Sequence, residues 1–545
     1  MNDKASTQTT PDVPPAQSAP SSVPRWEWLL PTAFAVLFLV VLIRTAWVCD
    51  DAYITMRTVR NLVTGHGLRW NIAERVQAYT HPLWMFVLAG AYGISREPYY
   101  CIIVPSIVFS MAAMVLFAFF LPRSPAAGAL AMAVLVFSKA FTDYSTSGLE
   151  NPLTHFLLTV FMVIYLQPRP GPRRLFALSL VAALGMLNRM DTILLYGPAL
   201  AYSWLETRTV RGTAAVAAGF VPLFVWEAFS LFYYGFPFPN TAYAKLSTGL
   251  EFDVLLPQAM AYFADSLRLD PLTLPAIAAG LIIVVIARWR RLLPLVAGVL
   301  LYLVYVVSIG GDFMSGRFFA APLLLSAVCI ARLDMRVLSL WWPAALGVVL
   351  VTGCLTPACT LWSGSDFGSL NRRGIIGAAG IADERAFYYR RTGLLKSFGA
   401  RQWPDVVPEK ANPPRNRYGL VVQHNTGIMG FFGAGQDTYV LDDYALSDPL
   451  LARLPVTGVW RIGHFQRAIP AGYVKTLGGN TNAIRHPALA AYYDRLRLIT
   501  RGDLFSRERL RTIIDMNLKR FDPLLQSYIE SLPPSRPVNR YAGKR

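Results

Sequence analysis

Eleven apolar segments, each close to the length needed to cross a bilayer, constrain the fold of this 545-residue chain more than any other feature. A transmembrane helix needs about 20 largely apolar residues, and somewhat fewer when flanking polar groups reach the interface. Hydrophobic residues make up 54% of the chain and charged residues 15%, which is more apolar surface than a soluble protein of this length buries. The segments are 27–47, 101–121, 125–141, 151–167, 174–189, 191–206, 212–232, 271–288, 292–309, 317–333 and 337–355. The sequence therefore predicts a mainly α, polytopic membrane protein with about eleven transmembrane helices.

The loops between these segments alternate between two kinds. One kind is short and rich in arginine, and comprises 122–124, 169–174, 208–211, 288–291 and 332–336. The other kind is longer or carries acids and aromatic residues, and comprises 48–100, 142–150, 188–191, 233–270, 310–316 and the chain after 355. Positively charged loops stay in the cytoplasm, so the pattern predicts a multi-pass protein of the bacterial cytoplasmic (inner) membrane with a cytoplasmic N-terminus and an extracytoplasmic C-terminal region. The same loops account for much of the net charge of +18, and without a nucleic-acid-binding motif we expect a lipid bilayer and no nucleic acid as partner.

Composition divides the chain into three predicted regions. Residues 1–24 are rich in Ser, Thr, Pro, Gln and Ala and are expected to form a disordered cytoplasmic tail. Residues 25–355 form the transmembrane domain, and 356–545 are predicted to be a soluble, mixed α/β extracytoplasmic domain. Within it, 418–442 have the pattern of strands and turns, and 485–532 that of helices.

One shorter apolar segment, residues 82–95, does not fit the alternation as a further span. If it crossed the membrane, every later Arg-rich loop would face outward, against the positive-inside rule. We therefore expect it to lie at the interface or to re-enter the membrane on the outer side, although the sequence leaves a full span open.

The first outer loop, 48–100, begins with the adjacent carboxylates Asp50 and Asp51, just where the first span ends. Such a pair can position or deprotonate an acceptor hydroxyl, or hold a divalent cation against a phosphate. An acidic pair at a helix end is also often no more than a solvated face. The sequence predicts that these are the catalytic residues and leaves open a metal ion on Asp50 or Asp51.

Further polar residues fall in the same set of outer loops, and we expect them to bind a donor or an acceptor. They are Tyr53, Arg57 and Asn61 at near-helical spacing, then Glu74, Tyr79, His81, Glu150, Asn151, Arg189, Asp191, Asn240, Lys245, Asp312 and Arg317. Each cluster also has a plain structural interpretation, such as a helix cap at 146–151 or a local salt bridge at 188–191. Their common face favours a function. Arg189, Lys245 and Arg317 could bind a phosphate. Because the chain has neither a P-loop nor a Rossmann fingerprint, a soluble nucleotide sugar is not expected as the direct donor.

These motifs resemble the GT-C class of glycosyltransferases, which are polytopic enzymes with an acidic pair in the first outer loop. The run DDAYITMR, GHGLRWN and ERVQAYTHPLW, with TSGLEN, NRMD, PFPNTAYAK and GGDFMSGR, is similar to the terminal arabinofuranosyltransferases of the mycobacterial cell wall and to the pilin arabinosyltransferases. The resemblance covers about residues 27–330 and continues more weakly through 440–449 and 460–464. It implies a polyprenyl-phosphate arabinofuranose donor, transfer on the outer face to a glycan or protein acceptor, and a catalytic carboxylate on Asp50 or Asp51.

Two other classes of function compete with this interpretation. A lipid-linked-sugar transporter or flippase would carry ionisable residues in mid-span and repeated halves, and would move labelled lipid without sugar transfer. A non-catalytic glycan-binding membrane protein would be indifferent to Asp50→Asn and Asp51→Asn. The sequence favours the glycosyltransferase.

Overall fold

The computed structural model describes residues 28–246, 248–334, 341–356, 359–362, 375–397, 415–417, 419–423, 426–479, 481–533 and 537–540. The expected tail at 1–24 lies outside the described residues. The described chain is mostly helical, as predicted, with short strands in its C-terminal third.

The helices of the N-terminal two thirds, taken in chain order, begin with a broken pair and end at residue 355. They are α1 (Leu29–Thr45), α2 (Asp50–Val63), α3 (Pro82–Ser95), α4 (Tyr100–Phe120), α5 (Pro125–Phe137), α6 (Lys139–Asp143), α7 (Asn151–Tyr165), α8 (Pro172–Asn188), α9 (Ile193–Thr207), α10 (Val210–Gly219), α11 (Val221–Tyr233), α12 (Asn240–Leu246), α13 (Phe252–Leu269), α14 (Thr273–Ile286), α15 (Leu293–Ser308), α16 (Ala320–Ala331) and α17 (Trp342–Leu355). In the bundle, α4 packs on α7, α14 on α16, and α15 on α9.

The sequence predicts eleven membrane-spanning segments, and fewer helices of the structure are long enough to span a membrane. By length and composition, one helix in the described part of the chain, α4, can cross a bilayer unaided. Three bent pairs raise the number to four if each pair forms one span: α1 with α2 at 83°, α10 with α11 at 46°, and α13 with α14 at 101°. Residues 82–95, predicted to lie at the interface or to re-enter, form the 14-residue apolar helix α3. The count of eleven spans stays a prediction.

The break between α1 and α2 places the acidic pair. The chain leaves α1 at Ala46 in an extended conformation, and α2 starts at Asp50 after the 83° bend. Trp47 Nε1 donates to the Asp143 carbonyl at 2.9 Å, and the Cys49 amide donates to the Ser147 carbonyl at 2.9 Å. The carboxylates of the first helical turn also complement the positive end of the α2 dipole. The bend is thus fixed by hydrogen bonds, and the pair sits at a helix start.

The C-terminal region contains helices and short strands. The helices are α18 (Glu384–Thr392), α19 (Leu394–Ser397), α20 (Tyr473–Leu477), α21 (Pro487–Arg501), α22 (Arg507–Asn517) and α23 (Asp522–Ser531). The strands are β1 (Val421–Gln423), β2 (Val440–Asp442), β3 (Val459–Arg461), β4 (His464–Phe465) and β5 (Val538–Asn539). β1 pairs in parallel with β2, and β3 pairs antiparallel with β4 and parallel with β5. The strands predicted within 418–442 and the helices predicted within 485–532 are therefore present.

The C-terminal region packs directly on the helical bundle. Ile381, Tyr389, Phe431 and Trp460 are buried in the same hydrophobic core as the bundle helices. The Tyr389 hydroxyl donates to the Arg44 carbonyl at 2.6 Å. The C-terminal region also supplies most residues of a second hydrophobic core, among them Leu441 and Leu496. The separate domain over 356–545 stays a prediction.

Arg57 anchors the C-terminal region to α2. Its guanidinium is buried, stacks 4.7 Å from the Trp70 ring, and donates to the carbonyls of Trp70 at 3.0 Å, Thr438 at 2.8 Å and also Gly430. Burial lowers the pKa of Arg57 to about 9, because desolvation disfavours the charged guanidinium, and the like charge of Arg60 lowers it further. A residue expected to bind a ligand thus has the contacts of a structural anchor.

Replacing Arg57 with methionine is expected to loosen the C-terminal region from α2. The variant leaves several buried carbonyl groups without a donor, each at a cost of about 1–3 kcal/mol. We expect a lower thermal unfolding midpoint in detergent and faster proteolytic cleavage near residues 430–438. The exposed Arg211 gives a matched control, Arg211→Met. Equal midpoints and cleavage rates for the two variants would contradict the anchoring role.

Candidate active-site cavity

A cavity of about 700 Å³ lies between the first outer loop, the ends of several bundle helices and the C-terminal region. One part of its wall is polar and is formed by Asp51, Thr55, His81, Arg189, Asp191, Lys245, Asp312 and Arg317. The other part is apolar and includes Met186, Leu187, Ile193, Leu194, Leu223, Trp226, Phe238, Tyr305 and Ile309. Ion pairs link the charged residues around Arg189 and Arg317, and Met186, Leu187, Leu223 and Trp226 pack in one hydrophobic cluster, so the cavity has a charged end and an apolar end.

The two acidic residues of the pair face different surroundings. Asp51 lines the cavity. The Asp50 carboxylate accepts a hydrogen bond from the Ile428 amide at 2.7 Å. Gly427 lies so close that a Cβ there would come within 2.5 Å of the Asp50 carboxyl carbon. Asp51 is thus available to a ligand, whereas Asp50 holds the backbone of the C-terminal region.

The protein environment of Asp51 stabilises the protonated carboxyl, relative to the ionised one, more than water does. Burial raises the pKa of the Asp51 carboxyl, the positive charges of Lys245 and Arg317 lower it, and Asp312 and Glu150 raise it again, with a net increase. A carboxylate that is desolvated and near like charges is a stronger base than one in water.

Two arginines and three carboxylates form a continuous ion-pair ladder at the polar end. Glu150 Oε1 accepts from Arg189 Nη1 at 2.8 Å and from Arg317 Nη2 at 3.0 Å. Arg189 Nε also pairs with Asp191 at 2.7 Å, and Arg317 Nη1 lies 3.6 Å from Asp312. Burial raises the pKa of Glu150, but Arg317, His81 and Arg189 together outweigh it and hold the pKa well below its ordinary value. Glu150 is thus a charged hub behind the cavity wall.

Lys245 contributes the third positive charge. It lies near the end of α12, with Nζ 5.8 Å from the centre of the Phe313 ring. Within the described residues no carboxylate lies within ion-pair distance of Nζ. Both arginines, in contrast, are already engaged by the ladder, so Lys245 is the cation whose charge is least neutralised by a direct contact.

His81 is held in the cavity wall in its neutral form. Its Nε2 lies 2.8 Å from Thr55 Oγ1 and its Nδ1 lies 3.4 Å from Glu150 Oε2. Burial lowers the pKa of His81 to about 4, and the nearby Glu150 only partly offsets this. The contact with Glu150 is therefore that of a neutral imidazole at pH 7.

The structure brings about half of the predicted site residues together. Asp51, Tyr79, His81, Arg189, Asp191, Lys245, Asp312 and Arg317 line the cavity, and Glu150 bonds its two arginines. The others do not line it: Asp50, Tyr53, Arg57, Asn61, Glu74, Asn151 and Asn240.

Most of these outlying residues make structural contacts. Asn61 donates to the carbonyls of Arg69 and Trp70, and Asn240 donates to those of Ala445 and Asp448. Glu74 is buried, accepts from the Tyr439 hydroxyl at 2.7 Å and pairs with Arg501 at 3.0 Å. The buried Tyr53 packs against Phe431 and Phe432, and the buried Asn151 is the first residue of α7.

Several lining residues were not singled out by sequence reasoning. Thr55 lies one helical turn after Asp51 and could have been found from that spacing. Glu227 is an acid inside a predicted span, which is itself a signal of function. Ile462, Gly463 and Phe465 come from the C-terminal region, the first two within the weaker part of the resemblance at 460–464 and Phe465 directly after it. Gly463 has φ +76°, and a Cβ there would lie 2.5 Å from the Phe313 ring.

No group of three or more His, Cys, Asp or Glu side chains among the described residues is arranged to hold a metal ion. The alternative of a cation on Asp50 or Asp51 stays a prediction.

Comparison with known proteins identifies two relatives with the same name, and no family model matches the chain. The terminal β-(1→2)-arabinofuranosyltransferase of Mycobacterium tuberculosis is 28% identical over 540 residues, covering 81% of this chain and 84% of the relative. Its namesake from Corynebacterium glutamicum is 27% identical over 402 residues, covering 63% of this chain and 57% of the relative. The resemblance predicted from the motifs is therefore confirmed.

A solved structure of ArnT from Cupriavidus metallidurans, bound to undecaprenyl phosphate, overlaps 67% of this chain and 68% of its own. The identity is 15% and the TM-score 0.40, which is too loose an overlap to establish a common fold.

The neutral state of His81 predicts a pH dependence of stability. As the pH falls from about 6.5 to about 4, the unfolded chain takes up a proton on this imidazole and the folded chain does not, so stability is lost. We expect His81→Gln to lose less stability than wild type over that range, measured as the unfolding midpoint in detergent. His66→Gln, at a partly exposed histidine of the same loop, is the control. Parallel pH curves for wild type and His81→Gln would contradict this assignment.

Proposed function

We propose that this chain is a membrane glycosyltransferase of the GT-C type that transfers arabinofuranose from a polyprenyl phosphate to a glycan or protein acceptor on the outer face of the cytoplasmic membrane. The observation that carries the proposal is the cavity, whose charged end adjoins an apolar end. A polyprenyl-phosphate sugar has the same division, since a phosphate and a sugar are attached to a long apolar chain. The two relatives named as terminal β-(1→2)-arabinofuranosyltransferases support the choice of sugar and favour a β-(1→2) linkage.

The apolar wall suits the prenyl chain of the donor. It is formed by residues of α8, α9, α11 and α15, among them Leu187, Leu194, Trp226 and Tyr305. Phe238 and Leu246, which also line the cavity, are 50% and 63% exposed. The prenyl chain of such a donor already lies in the bilayer, so these residues exchange lipid contacts for protein contacts and mainly orient the chain beside the charged end.

The cations at the other end suit the phosphate. Lys245 is expected to bind it first, because its charge is not committed to an ion pair within the described residues. Arg317 is the next candidate, since its contact with Asp312 is long at 3.6 Å and can be exchanged for a phosphate oxygen. Arg189 pairs closely with both Glu150 and Asp191 and is expected to support Arg317 through the ladder.

The reaction then requires one base and one stabilised leaving group. The acceptor hydroxyl oxygen forms a bond to the anomeric carbon, and the bond from that carbon to the phosphate oxygen breaks. Asp51, whose raised pKa makes it a competent base, takes the proton of the acceptor hydroxyl. Lys245 and Arg317 stabilise the negative charge that develops on the departing polyprenyl phosphate.

The membrane arrangement of this proposal follows the loop charges. The apolar helices lie in the bilayer with the Arg-rich loops in the cytoplasm, the N-terminus inside and the C-terminal region outside. Asp51 and the charged end of the cavity then face the outer side, where the C-terminal residues Ile462 and Phe465 complete the wall.

Comparing the two carboxylates tests the catalytic assignment. Asp51→Asn removes the base and is expected to lower the transfer rate at least about 10³-fold. Asp50→Asn is expected to stay within about tenfold of wild type, because an amide oxygen can still accept the hydrogen bond from Ile428. The assay uses membranes containing the full chain, labelled polyprenyl-phosphate arabinofuranose and an arabinofuranosyl glycoside acceptor.

The same assay separates the competing classes. Full activity of Asp51→Asn, or inactivity confined to Asp50→Asn, would overturn the assignment of the base. Labelled lipid that crosses the bilayer without sugar transfer by the wild type would favour the transporter instead.

A further inference from the structure

Thr55 occupies a distinctive position in the cavity wall. It lies on α2 one helical turn after Asp51, and residues four apart on a helix present neighbouring side chains. Both residues line the cavity. Any sugar hydroxyl that reaches Asp51 is therefore close to the Thr55 hydroxyl as well.

The hydroxyl of Thr55 ends a chain of polar contacts that begins at Glu150. Thr55 Oγ1 lies 2.8 Å from His81 Nε2, and His81 Nδ1 lies 3.4 Å from Glu150 Oε2 and 3.3 Å from Thr80 Oγ1. Glu150 is ionised, because its two arginines hold its pKa far below the ordinary value, and an ionised carboxylate only accepts. We assign the proton of the neutral imidazole to Nδ1, because a proton there faces the Glu150 carboxylate, which would repel a lone pair, and can be donated to Thr80 Oγ1. Nε2 then presents a lone pair.

The direction of the last hydrogen bond follows. A lone pair on Nε2 can only accept, so the Thr55 hydroxyl must donate its hydrogen to His81. Burial, which keeps the pKa of His81 at about 4, maintains this arrangement at neutral pH. No other described residue is hydrogen-bonded to Thr55 Oγ1, so the oxygen keeps its lone pairs for a ligand and has no hydrogen left to give.

We propose that Glu150 and His81 fix Thr55 as a pure hydrogen-bond acceptor for one furanose hydroxyl bound beside Asp51. Thr55 is then a specificity-determining residue that touches the substrate, and His81 is a positioning residue that acts through it. The inference rests on the proposed function, since it names the sugar hydroxyl that the same cavity selects.

The chemistry predicts strong discrimination. A site built to bond a hydroxyl group rejects an analogue that lacks it, because its own polar atom is left without a partner. The hydroxyl can belong to the arabinofuranose of the donor or to the acceptor sugar. Either sugar would offer Thr55 a hydroxyl hydrogen, so the deoxy position must be varied in the sugar donor and in the sugar acceptor separately.

The test combines one substitution with a set of deoxy substrates. Transfer by the full chain is measured in membranes for wild type, Thr55→Val and Thr55→Ser. The substrates are polyprenyl-phosphate arabinofuranose and an arabinofuranosyl glycoside, each also in its monodeoxy forms. Thr58→Val is the matched control. Thr58 lies on the same helix, is fully buried, does not line the cavity, and its hydroxyl has no hydrogen-bond partner among the described residues.

We expect Thr55→Val to lower kcat/KM about 10- to 100-fold with the complete substrates, Thr55→Ser to restore most of it, and Thr58→Val to stay within about twofold of wild type. With one monodeoxy substrate, the kcat/KM values of wild type and Thr55→Val should become equal. The hydroxyl missing from that substrate is the one that binds Thr55, and it belongs either to the sugar donor or to the sugar acceptor. His81→Phe should cost much less in the Thr55→Val background than alone, because it acts through Thr55.

Three results would overturn the inference. Thr55→Val could match Thr58→Val with complete substrates, the loss in Thr55→Val could persist undiminished with every monodeoxy substrate, or His81→Phe could cost as much in the Thr55→Val background as alone. Absence of transfer by the wild type is a different result, because it would remove the proposed function itself.

Discussion

The carboxylate of Glu150 organises the polar end of the cavity. It is almost fully buried, and an isolated charge in that position would be strongly destabilising. It is tolerated because one oxygen accepts from Arg189, at the end of α8, and from Arg317, just before α16. Removing Glu150 would leave two largely buried guanidinium groups with only Asp191 and Asp312 as partners, so the charged end depends strongly on this one residue.

From Glu150 the arrangement extends in two directions. Toward the cavity, Arg317 and Asp312 present the groups that adjoin Asp51, while His81 relays the position of Glu150 to Thr55. Away from the cavity, Asn188 donates to the Glu150 main-chain carbonyl at 2.9 Å and so ties the end of α8 to the start of α7. Glu150 is therefore connected both to side chains that can contact a ligand and to the helices that fix the position of Glu150.

The C-terminal region completes the site and steadies the acidic pair. Asp50 binds the Ile428 amide, Arg57 binds carbonyls of the same region, and Phe465 lines the cavity wall. Neighbouring residues of α2 therefore have different roles. Asp50 and Arg57 hold the backbone of a distant segment, and Asp51 and Thr55 face the cavity. This division is what an amphipathic helix packed between two surfaces produces.

Sequence reasoning predicted the helical class, placed the acidic pair where the first span ends and singled out the cations that the structure brings to one cavity, because apolar length, loop charge and clustered polar residues are local signals. It did not separate Asp50 from Asp51, since their difference depends on the Ile428 amide, which lies 378 residues away in the chain. It also expected Arg57 and Glu74 to bind a ligand, and the structure gives Arg57 a distant carbonyl partner and Glu74 an ion pair with Arg501, contacts that the local sequence does not show. Long-range contacts are the physical reason for each of these differences.

The central claim is that the donor lies in this cavity with its phosphate at Lys245 and Arg317 and its sugar at Asp51. The most direct test is a cryo-EM structure of the full chain in a lipid nanodisc with a polyprenyl phosphonate analogue of the arabinofuranose donor. The account predicts the phosphonate in hydrogen-bond contact with Lys245, the furanose ring between Asp51 and Thr55, and the prenyl chain along Leu187, Leu194 and Trp226. A head group bound outside the cavity, or a furanose ring remote from Asp51, would contradict it.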